Sequence, residues 1–216
     1  MIVSKRQVRL IVQEVLSSAA AAKKSQLLEK RQKQQAEWDY LLSEPFKARN
    51  HLACAWCNNA KSILEIGSYK NPLYKFYPSG NANLITVVDP KADTFSEQIN
   101  LMGRPVKVVS HGKKLHEVKL PTHDAIVALG LAIPNNQEDG QKSLDALKAH
   151  CQLADTVILE GAVDWPETVE QIEEIIDHIH HEKMVDIIID YSPSKVEDPN
   201  APGKVYDKRR FVVLKK

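Results

Sequence analysis

The chain has 216 residues, room for one α/β domain plus an extension, and its 43% hydrophobic, 26% charged and 6% aromatic content is that of an ordinary soluble globular protein. With 29 basic and 28 acidic residues the formal net charge is +1, so no global field draws the chain to nucleic acid or to an anionic membrane. No apolar run approaches transmembrane length, and three cysteines, Cys54, Cys57 and Cys151, are a sparse, odd set that suits a reducing cytoplasm better than a disulfide framework.

The opening stretch, MIVSKRQVRLIVQEVLSSAAAA, has basic, apolar and small residues in the order of a secretory signal. Gln13 and Glu14 interrupt its apolar part, and the pattern is helical instead. Helix is predicted over residues 4–44, with Val8, Ile11, Val12, Val15, Leu16 and Ala19 along one face. The polar stretch 23–35 has Leu27 and Leu28 as its main apolar anchors, and Trp38, Leu41 and Leu42 restore the stripe. The run Lys30-Arg31-Gln32-Lys33 reads as a solvated helix face, because no aromatic residues interleave with it as they do in single-strand binders. Residues 1–44 thus form a helical extension. It is expected to dock by the Val8-Ile11-Val15 stripe, over the cleft of the next domain or against a second subunit in a homodimer, since isolated helices are marginal.

Ser43-Glu44-Pro45 is a helix start: a capping residue, an acid in the first turn, and Pro where no N–H is needed. The helix runs to about residue 58 and carries His51, Cys54 and Cys57 three residues apart, near one face. His with two Cys is zinc-like chemistry, but no second paired motif supplies a fourth ligand. Beside Leu52, Ala53 and Trp56 the cysteines read as small buried residues, and no metal is expected.

The stretch that organises the rest is 62–89. Ile63-Leu64-Glu65-Ile66 stops at Gly67, and Leu84-Ile85-Thr86-Val87-Val88 ends in Asp89. Short, continuous, β-branched runs read as strands buried on both faces. Gly67 lets the chain turn sharply and lets a ligand approach the backbone. The Asp89 carboxylate can accept hydrogen bonds from a ribose diol, and it lies 22 positions after Gly67, near the spacing of glycine turn and acid in a nucleotide-binding βαβ unit.

Beyond Asp89 the pattern alternates. A helix is predicted over 93–102, with Phe95, Ile99 and Met102 at core spacing and Gly103-Arg104-Pro105 as its break. Strands follow at 106–110 and 124–129, the second ended by Gly130. Next come a helix at 141–151, a strand at 156–159 leading into Glu160-Gly161, a helix at 167–180, a strand at 184–191, a loop at 193–208 with three prolines, and a last strand at 210–214. Seven strands alternating with helices predict a doubly wound, mostly parallel α/β sheet over residues 45–216. The last two strands lack a crossover helix, so the final one is predicted to run antiparallel.

At Glu65-Ile66-Gly67-Ser68-Tyr69-Lys70-Asn71 the sequence resembles the first motif of the class I S-adenosylmethionine (SAM)-dependent methyltransferases: an acid, a spacer, then a glycine-rich turn. Gly67 is the single glycine here, with Tyr69 and Asn71 where others are expected. Asp89 resembles that family's second motif, an acid ending the second strand. A seven-stranded sheet closed by an antiparallel strand is the family's architecture too, and a dinucleotide dehydrogenase lacks that ending.

The resemblance implies SAM as cofactor and S-adenosylhomocysteine as its product. It implies that Gly67, Ser68 and Tyr69 face the methionine part, Asp89 the ribose, His111 the adenine, and Gly130 the sulfonium and acceptor. Glu65 either holds the glycine turn from behind or faces a buried partner.

Methyl transfer to a soft or anionic nucleophile proceeds by in-line positioning. An oxygen or nitrogen acceptor calls for a general base, for which His111, His116, Glu160 and Asp164 are the rim candidates, and the sequence does not choose among them. Leu129-Gly130-Leu131-Ala132-Ile133-Pro134 is not the Asn/Asp-Pro-Pro-aromatic motif of amino-methylating nucleic-acid enzymes. The sequence is read as carrying no added acceptor domain beyond the N-terminal helices, which makes a small-molecule acceptor the expectation. The alternative is a methyltransferase-like scaffold that binds a partner without catalysis, in keeping with the single motif glycine. A nucleotide-binding oxidoreductase is a third reading, opposed by the helix-free strand pair at the C-terminus.

Overall fold

The computed structural model describes residues 23, 25–33, 35, 44–68, 71–77, 80–101, 103–133, 138–191 and 208–216. The chain divides into two compact units, Met1–Leu41 with Glu197–Lys204, and Leu42–Val196 with Val205–Lys216. In the first unit the described residues, 23, 25–33 and 35, are helical and exposed. Leu27 and Leu28, expected as apolar anchors, are 54% and 49% exposed. The Val8-Ile11-Val15 stripe and Trp38, Leu41 and Leu42 lie outside the described residues.

In the second unit a helix, α1 (Glu44–Trp56), precedes β1 (Ser62–Ile66), β2 (Leu84–Val88), β3 (Phe95–Leu101), β4 (Arg104–His111) and β5 (Ala125–Leu129). Then come α2 (Glu138–Leu153), β6 (Thr156–Ala162), α3 (Pro166–Ile179), β7 (Met184–Tyr191) and β8 (Arg209–Lys215). Short 3-10 turns at Leu73–Lys75 and Leu115–Glu117 follow β1 and β4. The sheet order is β3-β4-β2-β1-β5-β6-β8-β7. Strands β4, β2, β1, β5 and β6 are mutually parallel. The last strand enters between β6 and β7, antiparallel to both, as the missing crossover helix predicts.

The sheet has eight strands where seven are predicted, because residues 95–101 form β3 rather than a helix. Phe95, Ile99 and Leu101 alternate with exposed polar residues and pack on the core from one side, while β3 pairs antiparallel with β4 from Phe95↔Ser110 to Leu101↔Arg104. Gly103, at φ +84°, serves the tight link between these two strands instead of ending a helix.

Strand alternation sends the core to two faces. Ile63, Ile85, Val87, Val127, Ile158, Phe211 and Val213 pack under α1 with Ala53, Cys54 and Cys57. Leu64, Val88, Ile126, Leu159, Val212 and Leu214 pack under α2 and α3, whose Leu144, Leu147, Cys151, Ile172, Ile175 and Ile179 form the inward stripes the periodicity predicts. All three cysteines are free and buried. His51 is exposed and meets Phe76 edge-on at 5.6 Å, so it does not join Cys54 and Cys57 in the core. Among the described residues no group of His, Cys, Asp and Glu is placed to hold a metal, and no helix is long and apolar enough to cross a membrane.

At the amino ends of β1 and β5, Asp124 Oδ2 accepts the N–H groups of Lys61 (2.8 Å) and Ser62 (3.0 Å), and the Asp124 N–H donates to Ser62 Oγ (3.0 Å). This clamp fixes the Ile63↔Ala125 register and brings the carboxyl ends of both strands out together.

Candidate functional site

Ligands in open α/β sheets bind beyond the carboxyl ends of the strands, where strand order reverses. Here the reversal lies between β1 and β5, and a cavity of about 480 Å³ opens there. That is within the roughly 300–1,000 Å³ of small-molecule sites. Gly67, Asp89 and Gly130, which follow β1, β2 and β5, all line it. Val88, Leu115, Leu131 and Ile133 give it apolar walls, and Lys91, Lys114, Asp139 and Ser143 supply polar groups.

Gly67 has φ +74° and no atom lies within 4 Å of the place a Cβ would occupy, so its backbone stands open to a ligand. Its N–H donates to the Val88 carbonyl (3.1 Å), tying the turn to the end of β2. Asp89 is 5% exposed. The Lys91 N–H donates to its Oδ1 (2.7 Å), which fixes the carboxylate at the cavity wall.

Glu65 does not line the cavity. It is buried under α1, and the Leu73 N–H donates to both its oxygens (2.9 and 2.8 Å), so it holds the connection after Gly67 from behind. Burial pushes its pKa up to about 8, against the smaller lowering by the Leu73 N–H and by Arg49. Ser68 and His111 also stand off the cavity lining. His111 closes β4, and its carbonyl accepts the Asp89 N–H (3.1 Å). Tyr69 lies outside the described residues.

The four base candidates part company. Glu160 is fully buried at the end of β6, where Arg49 Nη1 (2.9 Å), the Gly130 N–H (2.7 Å), Arg209 Nη2 (3.1 Å), Arg209 Nε and Tyr191 Oη (3.0 Å) all donate to it. Burial alone would raise its pKa, but Arg49 and Arg209 outweigh this and bring it down to about 2. A carboxylate held this firmly in its charged form is a poor proton acceptor. Asp164 is exposed and accepts the Lys208 N–H at 3.3 Å. His116 reaches the cavity lining, with Nδ1 2.8 Å from Ser143 Oγ and Nε2 3.9 Å from Asp139 Oδ1.

Sequence reasoning misses the residues that close the cavity from the side. Lys114 and Asp139, both in its lining, pair with each other at 2.5 Å, and Ser143 follows one turn later on α2. Asp139 stands in the first turn of α2, where an acid is accounted for by the helix dipole. Only the approach of the 115–117 turn to that helix gives it a second role.

No protein-family profile matches the chain, and no curated protein does. The fold is similar to those of solved methyltransferases. The N-methyltransferase NodS of Bradyrhizobium japonicum, in complex with S-adenosyl-L-homocysteine, aligns with TM-score 0.55 and 13% identity over 85% of this chain and 97% of its own. Magnesium protoporphyrin IX methyltransferase of Synechocystis, with bound SAM, aligns with TM-score 0.50 and 11% identity over 79% of each chain. A protein provisionally assigned as an RNA methyltransferase from Pyrococcus horikoshii aligns with TM-score 0.51 and 16% identity over 79% of this chain and 81% of its own. At these identities the likeness speaks of fold, and the chain has the class I methyltransferase fold.

Proposed function

We propose that the protein transfers a methyl group from SAM to a small-molecule acceptor, with SAM held in the cavity at the ends of β1, β2 and β5. The observation that carries this reading is the convergence of Gly67, Asp89 and Gly130 on one cavity at the point where strand order reverses. These residues fit the cofactor. The open space beside Gly67 admits a ligand against the backbone, and the buried Asp89 carboxylate suits a ribose diol. The apolar walls at Val88, Leu115 and Leu131 suit an adenine face.

Bound SAM would supply an electrophilic methyl group on a sulfonium sulfur. The chain's own contribution is then placement. Gly67 admits the methionine part, and Glu65 braces the turn through Leu73 without entering the cavity. Gly130, without a side chain, keeps the wall low where the acceptor approaches. Glu160 is a fixed anion rather than a base. For an acceptor that must lose a proton, His116 is the candidate whose side chain already meets the cavity lining. A net charge of +1 supports a small acceptor over a nucleic acid.

Calorimetry with SAM and with S-adenosylhomocysteine tests the reading. Both are expected to bind, and Asp89→Ala is expected to weaken both by at least about tenfold, the equivalent of one charge-assisted hydrogen bond. The variant should keep the wild-type melting temperature. Absence of heat with either ligand would replace this reading with that of a non-catalytic scaffold.

A further inference from the structure

The first unit carries a surface that methyl transfer does not use. Its described residues, 23, 25–33 and 35, are helical and exposed, and Leu27 and Leu28 stand 54% and 49% open to solvent. With about 3.6 residues per turn, Lys23, Lys30 and Arg31 lie within one turn of Leu27, at i−4, i+3 and i+4. Arg31 also lies three positions after Leu28. Three cations and two leucines therefore share one side of the helix. Glu29, the one acid among these described residues, falls on the opposite side, between Ser25 and Lys33.

Charge is concentrated on this helix. Lys23, Lys30, Arg31 and Lys33 against Glu29 give its described residues a surplus of three positive charges. The whole chain carries +1, so everything outside them sums to −2. The chain as a whole has no field to offer an anionic surface, and this helix has one. It acts within the roughly 8–10 Å over which charges are felt at ordinary salt.

We propose that this helix is a docking surface for an anionic phospholipid membrane. It would lie in the plane of the headgroups, with Leu27 and Leu28 at the acyl boundary and Lys23, Lys30 and Arg31 on lipid phosphates. The pairing of the two kinds of residue selects this partner. Nucleic acid would satisfy the cations but offers the leucines nothing, and no aromatic side chain among the described residues of the helix is there to stack on a base. A second copy of the same face would cover the leucines but bring three cations against three. An anionic bilayer takes both, apolar side chains at the acyl boundary and cations at the headgroups. Lys and Arg suit this geometry, because their long stems keep the charge at the phosphates while the helix sinks. The inference rests on the first unit alone and is independent of the cavity.

The full chain is sedimented with vesicles of equal parts phosphatidylglycerol and phosphatidylcholine, and with vesicles of phosphatidylcholine alone. Titration with poly(U) and light scattering of the lipid-free chain accompany it. Binding is expected with the mixed vesicles only, and should weaken as salt is raised. Each cation near an anionic surface is worth about fivefold in affinity, so Lys30→Glu with Arg31→Glu should weaken binding by at least about twentyfold. Leu27→Gln with Leu28→Gln should weaken it by at least about tenfold with no change of charge. Lys107→Glu with Lys119→Glu makes the same charge change at exposed positions of the second unit and should leave binding as in wild type. Glutamine and glutamate both favour helix, so the circular dichroism of the free variants should match wild type.

No sedimentation with the mixed vesicles, equal sedimentation with phosphatidylcholine alone, or binding that either helix variant leaves intact would each overturn the proposal. So would poly(U) binding with the same sensitivity to both helix variants, which would make the partner a nucleic acid. A dimer that dissociates in the Leu27→Gln, Leu28→Gln variant would overturn it too, by placing a second copy on the leucines.

Discussion

Glu65 and Glu160 are set up alike and end in opposite states. Each follows a leucine in an apolar strand, each is buried, at 3% and 0% exposure, and each lies on the α1 face of the sheet. Around Glu65 are the Leu73 N–H and the Cys54 and Cys57 thiols, themselves pushed up by burial. Around Glu160 are two guanidiniums, a phenol and a backbone N–H. Burial raises both pKa values, yet one carboxyl arrives at about 8 and the other at about 2. Desolvation is common to both sites, so the cations decide.

The same substitution at both positions separates these roles most sharply. Glu160→Gln removes the charge that two buried arginines face, and breaking a buried pair from one side costs about 3–5 kcal/mol. Glu65→Gln keeps an oxygen for the Leu73 N–H and loses a charge that the site already disfavours, so its cost at neutral pH is expected to stay within about 1 kcal/mol. Urea unfolding of the two variants measures both numbers. Equal losses would mean that Arg49 and Arg209 do not set the difference.

The pH dependence of stability should divide between the two residues. For Glu65 the folded pKa, about 8, is above the ordinary 4.5. The folded state then holds the proton longer than the unfolded chain, so stability falls as pH rises from 4.5 towards 8. For Glu160 the folded pKa, about 2, is below 4.5. Its stabilisation is complete above 4.5 and is lost as pH falls towards 2. Melting temperatures should show Glu65→Gln flattening only the fall between about pH 4.5 and 8, and Glu160→Gln only the loss below about pH 4.5.

Nothing local in the sequence tells these two acids apart. Their deciding partners lie 111 and 49 residues away from Glu160, and no periodicity reports contacts at that range. What is legible is whatever a short apolar run can announce. The parallel strands, the helices α2 and α3, and the antiparallel insertion of β8 all follow from runs, stripes and a missing crossover helix. Gly67, Asp89 and Gly130 follow in turn, since a strand end in this architecture is a cavity wall. Residues 95–101 mislead because Phe95 and Ile99 fit a helical spacing as well as an alternating one, and pairing with β4 decides between them. Lys114, Asp139 and Ser143 are invisible for the same reason as Arg49 and Arg209: connections and helix ends bring them together across the fold.

The smallest expected effect tests whether the pairing at Glu160 is shared evenly. Tyr191→Phe deletes one of five donors to the carboxylate and leaves the aromatic ring packed on the α1-face core. Four donors remain, two of them from Arg209, so Glu160 should stay charged and the variant should lose only about 1 kcal/mol in urea unfolding. The acid limb should shift slightly upward in pH, since one interaction favouring the charged form is gone. Glu65 offers no equivalent experiment, because its donor is the backbone of Leu73. A loss at Tyr191→Phe as large as that at Glu160→Gln would assign the state of Glu160 to the phenol, and the contrast between the two acids would then rest on a hydrogen bond rather than on charge.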